Sequence, residues 1–173
     1  MPRSVCGVWR RFGALLFVAG LLCACGYHPV SETAAGQTPN LQVAPITNET
    51  YKPGLNAVVS AAVLRQLRLS GQGAADSRPP DFILSGSVIS YENDAIASNP
   101  QDIGQRFRVR VTVQATLTPR TGGPPRLKEN IIGQAFYTVG ADVVGTRAAE
   151  NDAAIRASQE LARRLAARIM EEL

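Results

Sequence analysis

Three arginines at alternate positions, Arg106, Arg108 and Arg110, are the residues of this sequence whose type and spacing best suit binding chemistry. In a β-strand, residues two apart lie on the same face, about 6.6 Å from each other. A guanidinium group can hold a phosphate or carboxylate through two parallel hydrogen bonds. Two interpretations are open: the arginines bind an anionic ligand, or they form cross-strand pairs with acidic residues on an ordinary solvated face.

The residues that usually carry catalysis or bind metals are sparse. The single histidine, His28, lies three residues after Cys25 and has no neighbouring partners for catalysis or metal binding. Asp142, Glu150 and Asp152 lie near the predicted start of a helix, where acidic side chains favour the helix dipole. The sequence has no phosphate-binding glycine loop, nucleophile elbow or metal-ligand spacing. We therefore expect a binding protein, not an enzyme, with no metal or cofactor.

The N-terminal segment 1–24 has the pattern of a secretory signal peptide. Basic residues precede the apolar run 12–22, which is shorter than the roughly 20 residues that a membrane-spanning helix needs. The sequence that follows, Leu22-Cys23-Ala24-Cys25-Gly26, resembles the lipobox of bacterial lipoprotein precursors. The resemblance implies cleavage after residue 24 and covalent diacylglyceryl and N-acyl lipid on Cys25, enough for stable membrane anchoring. A non-lipidated signal or a short membrane anchor is the alternative.

Processing changes what the composition implies. The full chain has 18 basic and 14 acidic side chains, and three of the arginines leave with the signal. The remaining net charge of +1 gives no reason to expect a nucleic-acid partner. Because Cys6 and Cys23 also leave and Cys25 is acylated, no thiol remains for a disulfide, a metal or a nucleophile.

The elements that must position the arginines can be predicted from hydrophobic periodicity. Residues 25–40 lack periodicity and are predicted to be a lipid-anchored tether, and residues 41–173 a single domain. Strict alternation from Phe107 to Leu117 predicts a strand with one buried and one solvated face. The other predicted elements are strands at 41–46, 81–91 and 127–139, helices at about 53–70 and 146–173, and a polar loop at 92–105.

Together these elements predict an α+β domain of order β-α-β-β-β-α. The three later strands are separated by loops and should form an antiparallel meander. Each element has one apolar face, so we expect two layers, a four-stranded, mostly antiparallel sheet with two helices on one face. The arginines of the final helix lie off its apolar stripe and are expected to face solvent: Arg156, Arg163, Arg164 and Arg168.

Several segments resemble the LptE family of lipopolysaccharide-assembly lipoproteins. They are Cys25-Gly26-Tyr27-His28, the run 41–50 (LQVAPITNET), Pro53-Gly54-Leu55, the run 81–86 (DFILSG), the alternating strand 109–117 and the long C-terminal helix. The resemblance covers nearly the whole mature chain, and the order of elements agrees with that family.

The resemblance implies a location at the periplasmic face of the outer membrane, where the protein would plug the β-barrel translocon LptD and help to deliver lipopolysaccharide to the outer leaflet. Gly26 after the lipidated cysteine is compatible, since Asp there is the usual signal for retention in the inner membrane in enterobacteria. The family's proposed lipid contacts are basic residues in the loop after the second strand and near the start of the final helix. Arg147 matches the second place, whereas loop 92–105 has no Lys or Arg and Arg106 is the nearest substitute.

A second class of function remains open on the sequence alone. The run Val43–Thr50 (VAPITNET) also resembles lipoproteins that activate a peptidoglycan synthase or join a secretion assembly. Those proteins tend to have a longer tether and further β-α units, so the short tether and the β-meander favour the LptE-like interpretation.

Overall fold

The computed structural model describes residues 39–71, 79–96, 106–139 and 142–173. The predicted signal peptide, the predicted acylation site Cys25 and His28 lie outside these residues. So do most of the predicted tether and residues 97–105 of the predicted loop, and what the sequence indicates about these segments stays a prediction.

Five strands and two helices make up the described chain. In order they are β1 (Leu41–Val43), β2 (Thr47–Asn48), α1 (Leu55–Leu69), β3 (Phe82–Ile96), β4 (Arg106–Pro119), β5 (Leu127–Thr138) and α2 (Val143–Glu172). The predicted first strand at 41–46 is observed only as the shorter β1, and β2 is a further short strand just beyond it, with Pro45 between the two. Proline has no backbone N–H to donate to a neighbouring strand, so the interruption falls where the sequence weakens pairing.

The strands form one mixed sheet. β1 and β2 both pair in parallel with β3, β3 pairs antiparallel with β4, and β4 pairs antiparallel with β5. The predicted antiparallel meander is therefore confirmed, and the sheet has five strands instead of four because residues 47–48 form the additional short strand β2. β1 can lie parallel to β3 because α1 provides the crossover between them.

A hydrophobic layer between the sheet and the helices holds the fold together. α2 lies on β5 and β4, and α1 packs mainly against α2, so both helices lie on one face of the sheet. The α+β two-layer class is confirmed. The alternating residues of β4 from Val109 to Leu117 are at most 1% exposed, as are Val59 and Val63 of α1. Each such Val or Leu side chain contributes about 1.5–3 kcal/mol on burial.

α2 approaches β5 closely at Gly133. A Cβ atom built on Gly133 would lie 2.0 Å from the carbonyl oxygen of Ala157 and 2.6 Å from the amide nitrogen of Leu161. Small buried residues on α2 permit this approach: Ala153, Ala154, Ala157, Ser158, Ala162 and Ala166. The final helix therefore lies with its backbone almost against the sheet.

β3 is longer than its sequence indicates, and it contains a β-bulge. The strand continues to Ile96, through residues that the sequence analysis assigns to a loop. Val88 pairs with Val113 and Ser90 with Thr112, so Ile89 is an extra residue on β3. Because side chains alternate between faces along a strand, the extra residue changes which face each later side chain occupies.

Candidate functional site

The sheet face opposite the helices, here called the open face, carries the predicted arginine row. Arg106, Arg108 and Arg110 alternate on β4 with buried Val109 and Val111. The alternation in the sequence thus places all three guanidinium groups on one face. The rest of the open face on β4 and β5 is mostly polar: Thr112, Gln114, Thr116, Thr118, Lys128, Asn130, Gln134 and Thr138, with Ile132 and Phe136 as its apolar members.

Two of these arginines are paired with acidic residues of β3. Asp94 lies directly opposite Arg108 and Glu92 directly opposite Arg110 in the strand register. The salt bridges measure 3.2 Å from Arg108 Nη2 to Asp94 Oδ2 and 2.5 Å from Arg110 Nη1 to Glu92 Oε2. Of the two interpretations that the sequence leaves open, the geometry of these two residues favours cross-strand ion pairs.

Both carboxylates lie beyond the predicted strand, which ends at Tyr91, so the sequence does not predict them on the sheet. Glu92, Asn93 and Asp94 have low β-propensity, which is typical of a loop. The bulge at Ile89 places Tyr91 and Asn93 on the helix-covered face and turns Glu92 and Asp94 toward the arginines. One feature of the sequence could have indicated these ion pairs. The two acids, Glu92 and Asp94, are two residues apart, as are the two arginines, Arg108 and Arg110.

Arg106 has a different environment. It is exposed, and its guanidinium group lies over the ring of Phe136, 4.8 Å from the ring centroid. Such a cation–π contact leaves the charge open to solvent. Among the residues that the structure describes, no carboxylate forms a salt bridge with Arg106.

Arg147 is not part of this row. It is exposed on the second turn of α2, which packs on the helix-covered side of the sheet. Its charge helps to lower the pKa of Glu150, three residues later. The structure therefore brings three of the four predicted contact residues together and places the fourth on another element.

Glu150 is the centre of a cluster that joins α2 to the turn before α1. Its Oε1 atom accepts hydrogen bonds from Lys52 Nζ at 2.7 Å and from the Tyr91 hydroxyl at 2.8 Å. The Tyr51 ring meets the Tyr91 ring edge-on, with centroids 5.7 Å apart. We call these four residues the Glu150 cluster.

Electrostatics in the Glu150 cluster suit a structural role. Partial burial by itself would raise the pKa of the Glu150 carboxyl, but the hydrogen bonds from Lys52 and Tyr91, together with the positive charges of Lys52 and Arg147, hold the pKa below its ordinary value. Burial raises the pKa of Tyr91, and the adjacent carboxylate raises it further. The carboxylate stays charged and the phenol stays neutral, which fixes the cluster as an ion pair with a hydrogen-bonded tyrosine.

The other acidic residues near the helix start are explained by local structure. Asp142 is the N-cap of α2, and its Oδ1 accepts a hydrogen bond from the Gly145 amide at 2.6 Å. Asp152 forms an ion pair with Arg156 one turn along α2. Within the described ranges, no group of three or more His, Cys, Asp or Glu side chains could hold a metal ion, and no helix is long and apolar enough to cross a membrane.

Comparison with known proteins relates this fold to one family and several solved structures. The family model LptE, described as lipopolysaccharide-assembly, matches residues 38–169. A minor lipoprotein from Acinetobacter baumannii is 15% identical, with a TM-score of 0.53 over 78% of this chain and 92% of its own. A Caulobacter crescentus protein is 17% identical, with a TM-score of 0.52 over 73% and 89%. A hypothetical protein from Chlamydia trachomatis is 13% identical, with a TM-score of 0.51 over 76% and 95%.

At these identities the structural likenesses show a shared fold. No curated protein sequence matches the chain significantly. The family match extends from just before β1 to residue 169 of α2, so it includes the whole sheet, α1 and most of α2.

Proposed function

The chain belongs to the LptE lipopolysaccharide-assembly family, and from this premise we propose that it is an outer-membrane lipoprotein that plugs an LptD-like β-barrel translocon. It is anchored at the periplasmic face through lipid on Cys25 and helps to deliver lipopolysaccharide to the outer leaflet. The observation that carries the proposal is the family match over residues 38–169. The work is binding and assembly, not catalysis.

The open face supports a plug role through its chemistry. The interior of a large outer-membrane barrel is polar, so a plug needs a polar surface that can form hydrogen bonds. On the open face, hydroxyl and amide side chains alternate with buried residues, and the two ion pairs compensate most of the charge of the arginine row. A nearly neutral, polar face can contact a polar wall without leaving charges buried and unpaired.

The partner is tested by affinity purification of the tagged full chain from solubilised outer membranes. We expect a β-barrel of large mass to be recovered with it. Recovery of a penicillin-binding protein in its place would favour the peptidoglycan-synthase alternative and refute the plug.

Labelling of cells with radioactive palmitate tests the anchor: the wild-type chain should carry the label and Cys25→Ser should not.

Direct contact with lipopolysaccharide is a finer hypothesis within this function. Arginines could compete for lipopolysaccharide phosphates that divalent cations otherwise bridge. Arg106 and Arg147 are exposed, whereas Arg108 and Arg110 would have to exchange a carboxylate for a phosphate. The test is the affinity of the purified full chain for lipopolysaccharide after all four arginines are changed to Ala. The matched control removes four other exposed arginines: Arg65, Arg68, Arg120 and Arg126. If both variants keep the wild-type affinity, the arginines are not the contact.

A further inference from the structure

β5 is a terminal strand of the sheet, and arginines of α2 occupy part of its outer edge. Within the part of the chain that the structure describes, β5 pairs with β4 on one side and with no strand on the other. Arg156 Nη2 donates a hydrogen bond to the carbonyl oxygen of Phe136 at 2.9 Å, and Arg164 Nη1 donates one to the carbonyl oxygen of Ile132 at 3.1 Å. Both arginines are exposed, as predicted for this face of the helix, and in addition they cover backbone acceptors of an edge strand. We call Arg156 and Arg164 the edge arginines.

The spacing of the helix matches the spacing of the strand. Eight residues separate the edge arginines, which is about 12 Å along an α-helix. Four residues separate Ile132 from Phe136, which is about 13 Å along a strand. Because α2 and β5 run in opposite directions and lie in contact at Gly133, each guanidinium group reaches the carbonyl beside it.

Each edge arginine is also held by a carboxylate one turn earlier on α2. Asp152 pairs with Arg156, and Glu160 pairs with Arg164, 2.9 Å from Nε to Oε1. Both are pairs between residues i and i+4, the spacing at which helix side chains meet. The same arrangement thus occurs twice, eight residues apart, and orients each guanidinium group toward the strand edge.

An uncovered β5 edge would suit a second copy of the same strand. In an antiparallel pair of two β5 strands related by a twofold axis at Gln134, Ile132 of one copy lies opposite Phe136 of the other. These two side chains are apolar, lie on the open face, and are 41% and 40% exposed. An apolar residue opposite an aromatic one is a favourable cross-strand pair. The strand therefore presents both the acceptors and the side chains for pairing with itself.

We propose that the edge arginines close a latent strand-pairing surface on β5 and so prevent this chain from pairing with a second copy of itself. An edge strand with free acceptors is a template for such pairing, and charged side chains are a known way to block it. The proposal concerns the chain's own association and does not depend on the proposed barrel partner.

The test uses disulfide cross-linking of the full chain in its membrane. Gln134→Cys places a thiol where the two copies would meet, and the acylated Cys25 is not available to react. With the edge arginines present, non-reducing gels should show monomer. With Arg156→Ala and Arg164→Ala added, the disulfide-linked dimer should become the major species. The matched control, Arg65→Ala with Arg68→Ala on α1, removes the same charge from another helix and should leave the protein monomeric.

A second variant protects the test against misfolding. Asp152→Asn with Glu160→Gln keeps both arginines but removes the carboxylates that orient them, and it should give a smaller rise in dimer. Two results would overturn the proposal. One is a cross-linked dimer already dominant with the edge arginines intact. The other is an unchanged monomer in the double arginine variant, with the wild-type circular dichroism spectrum.

Discussion

The substitution Gly133→Ala tests the close approach of α2 to β5. The new Cβ would lie 2.0 Å from the Ala157 carbonyl oxygen, whereas ordinary contact begins at 3.4 Å. The helix would therefore have to retreat by about 1.4 Å. Both of the nearest atoms belong to helix backbone, so no side-chain rotation can relieve the clash.

The expected cost follows from how tightly this layer is packed. Overpacking a core by one methyl group typically costs about 1–3 kcal/mol. Here the retreat also separates the buried residues on α2 from the sheet, so we expect a loss of about 3 kcal/mol or more in the free energy of unfolding. It would also move the edge arginines away from β5, and their hydrogen bonds would exceed hydrogen-bonding distance.

The assay is denaturant unfolding of the purified full chain, followed by circular dichroism. Gly86→Ala on β3 is the matched control: its Cβ would lie 3.1 Å from the Gln114 carbonyl oxygen, and a shift of a few tenths of an ångström accommodates it. We expect the control to lose less than about 1 kcal/mol. If Gly133→Ala were no less stable than the control, the described helix–strand contact would be wrong.

Three further predictions concern charged residues. The pKa of Glu150 in the folded state is below its ordinary 4.5. The stability that its carboxylate contributes is therefore present above pH 4.5 and is lost as the pH falls through the folded pKa. Glu150→Gln should remove this dependence, so the stability of the variant should fall less steeply with decreasing pH in this range. Asp142→Ala removes the N-cap of α2 and should cost about 1 kcal/mol, measured by the same unfolding assay, while an unchanged stability would show that the cap is dispensable. Glu92→Gln with Asp94→Asn frees two arginines from competing carboxylates. If those arginines contact phosphates, binding of lipopolysaccharide should tighten in an equilibrium assay, and equal or weaker binding would count against that contact.

Much of the fold follows from periodicity in the sequence. The alternation from Phe107 to Leu117 predicts the buried and open faces of β4 correctly, because strand geometry leaves no other arrangement. The apolar residues that recur at three- and four-residue intervals from Leu55 to Leu67 predict the core-facing side of α1 in the same way, and Leu55, Val59, Val63 and Leu67 are its buried members. These patterns are local, and they persist in the folded chain.

What the sequence does not reveal depends on contacts between distant residues. The polar end of β3 is a strand because β4 pairs with it and its two acids meet arginines there. The contacts of the edge arginines cannot be predicted from the sequence, because the groups they bind are backbone carbonyls. Every residue has such a carbonyl, so no residue type indicates where one will be bound. The sequence does contain one sign of the arrangement: each edge arginine follows an acidic residue, Asp152 or Glu160, by four positions. The same spacing is also typical of an ordinary exposed helix face.

The bulge at Ile89 makes this position of β3 more tolerant of a deletion than the regular strand on either side of it. Ile89 is the residue without a partner on β4, so its loss would leave Val88 opposite Val113 and Ser90 opposite Thr112 in an unbroken ladder. Tyr91 would stay on the helix-covered face, and Glu92 and Asp94 would stay opposite their arginines. Loss of a paired residue from a strand without a bulge has the opposite effect, because it moves every later side chain to the other face. A relative that lacks Ile89 is therefore expected to keep the same order of polar and apolar residues on both sides of that position.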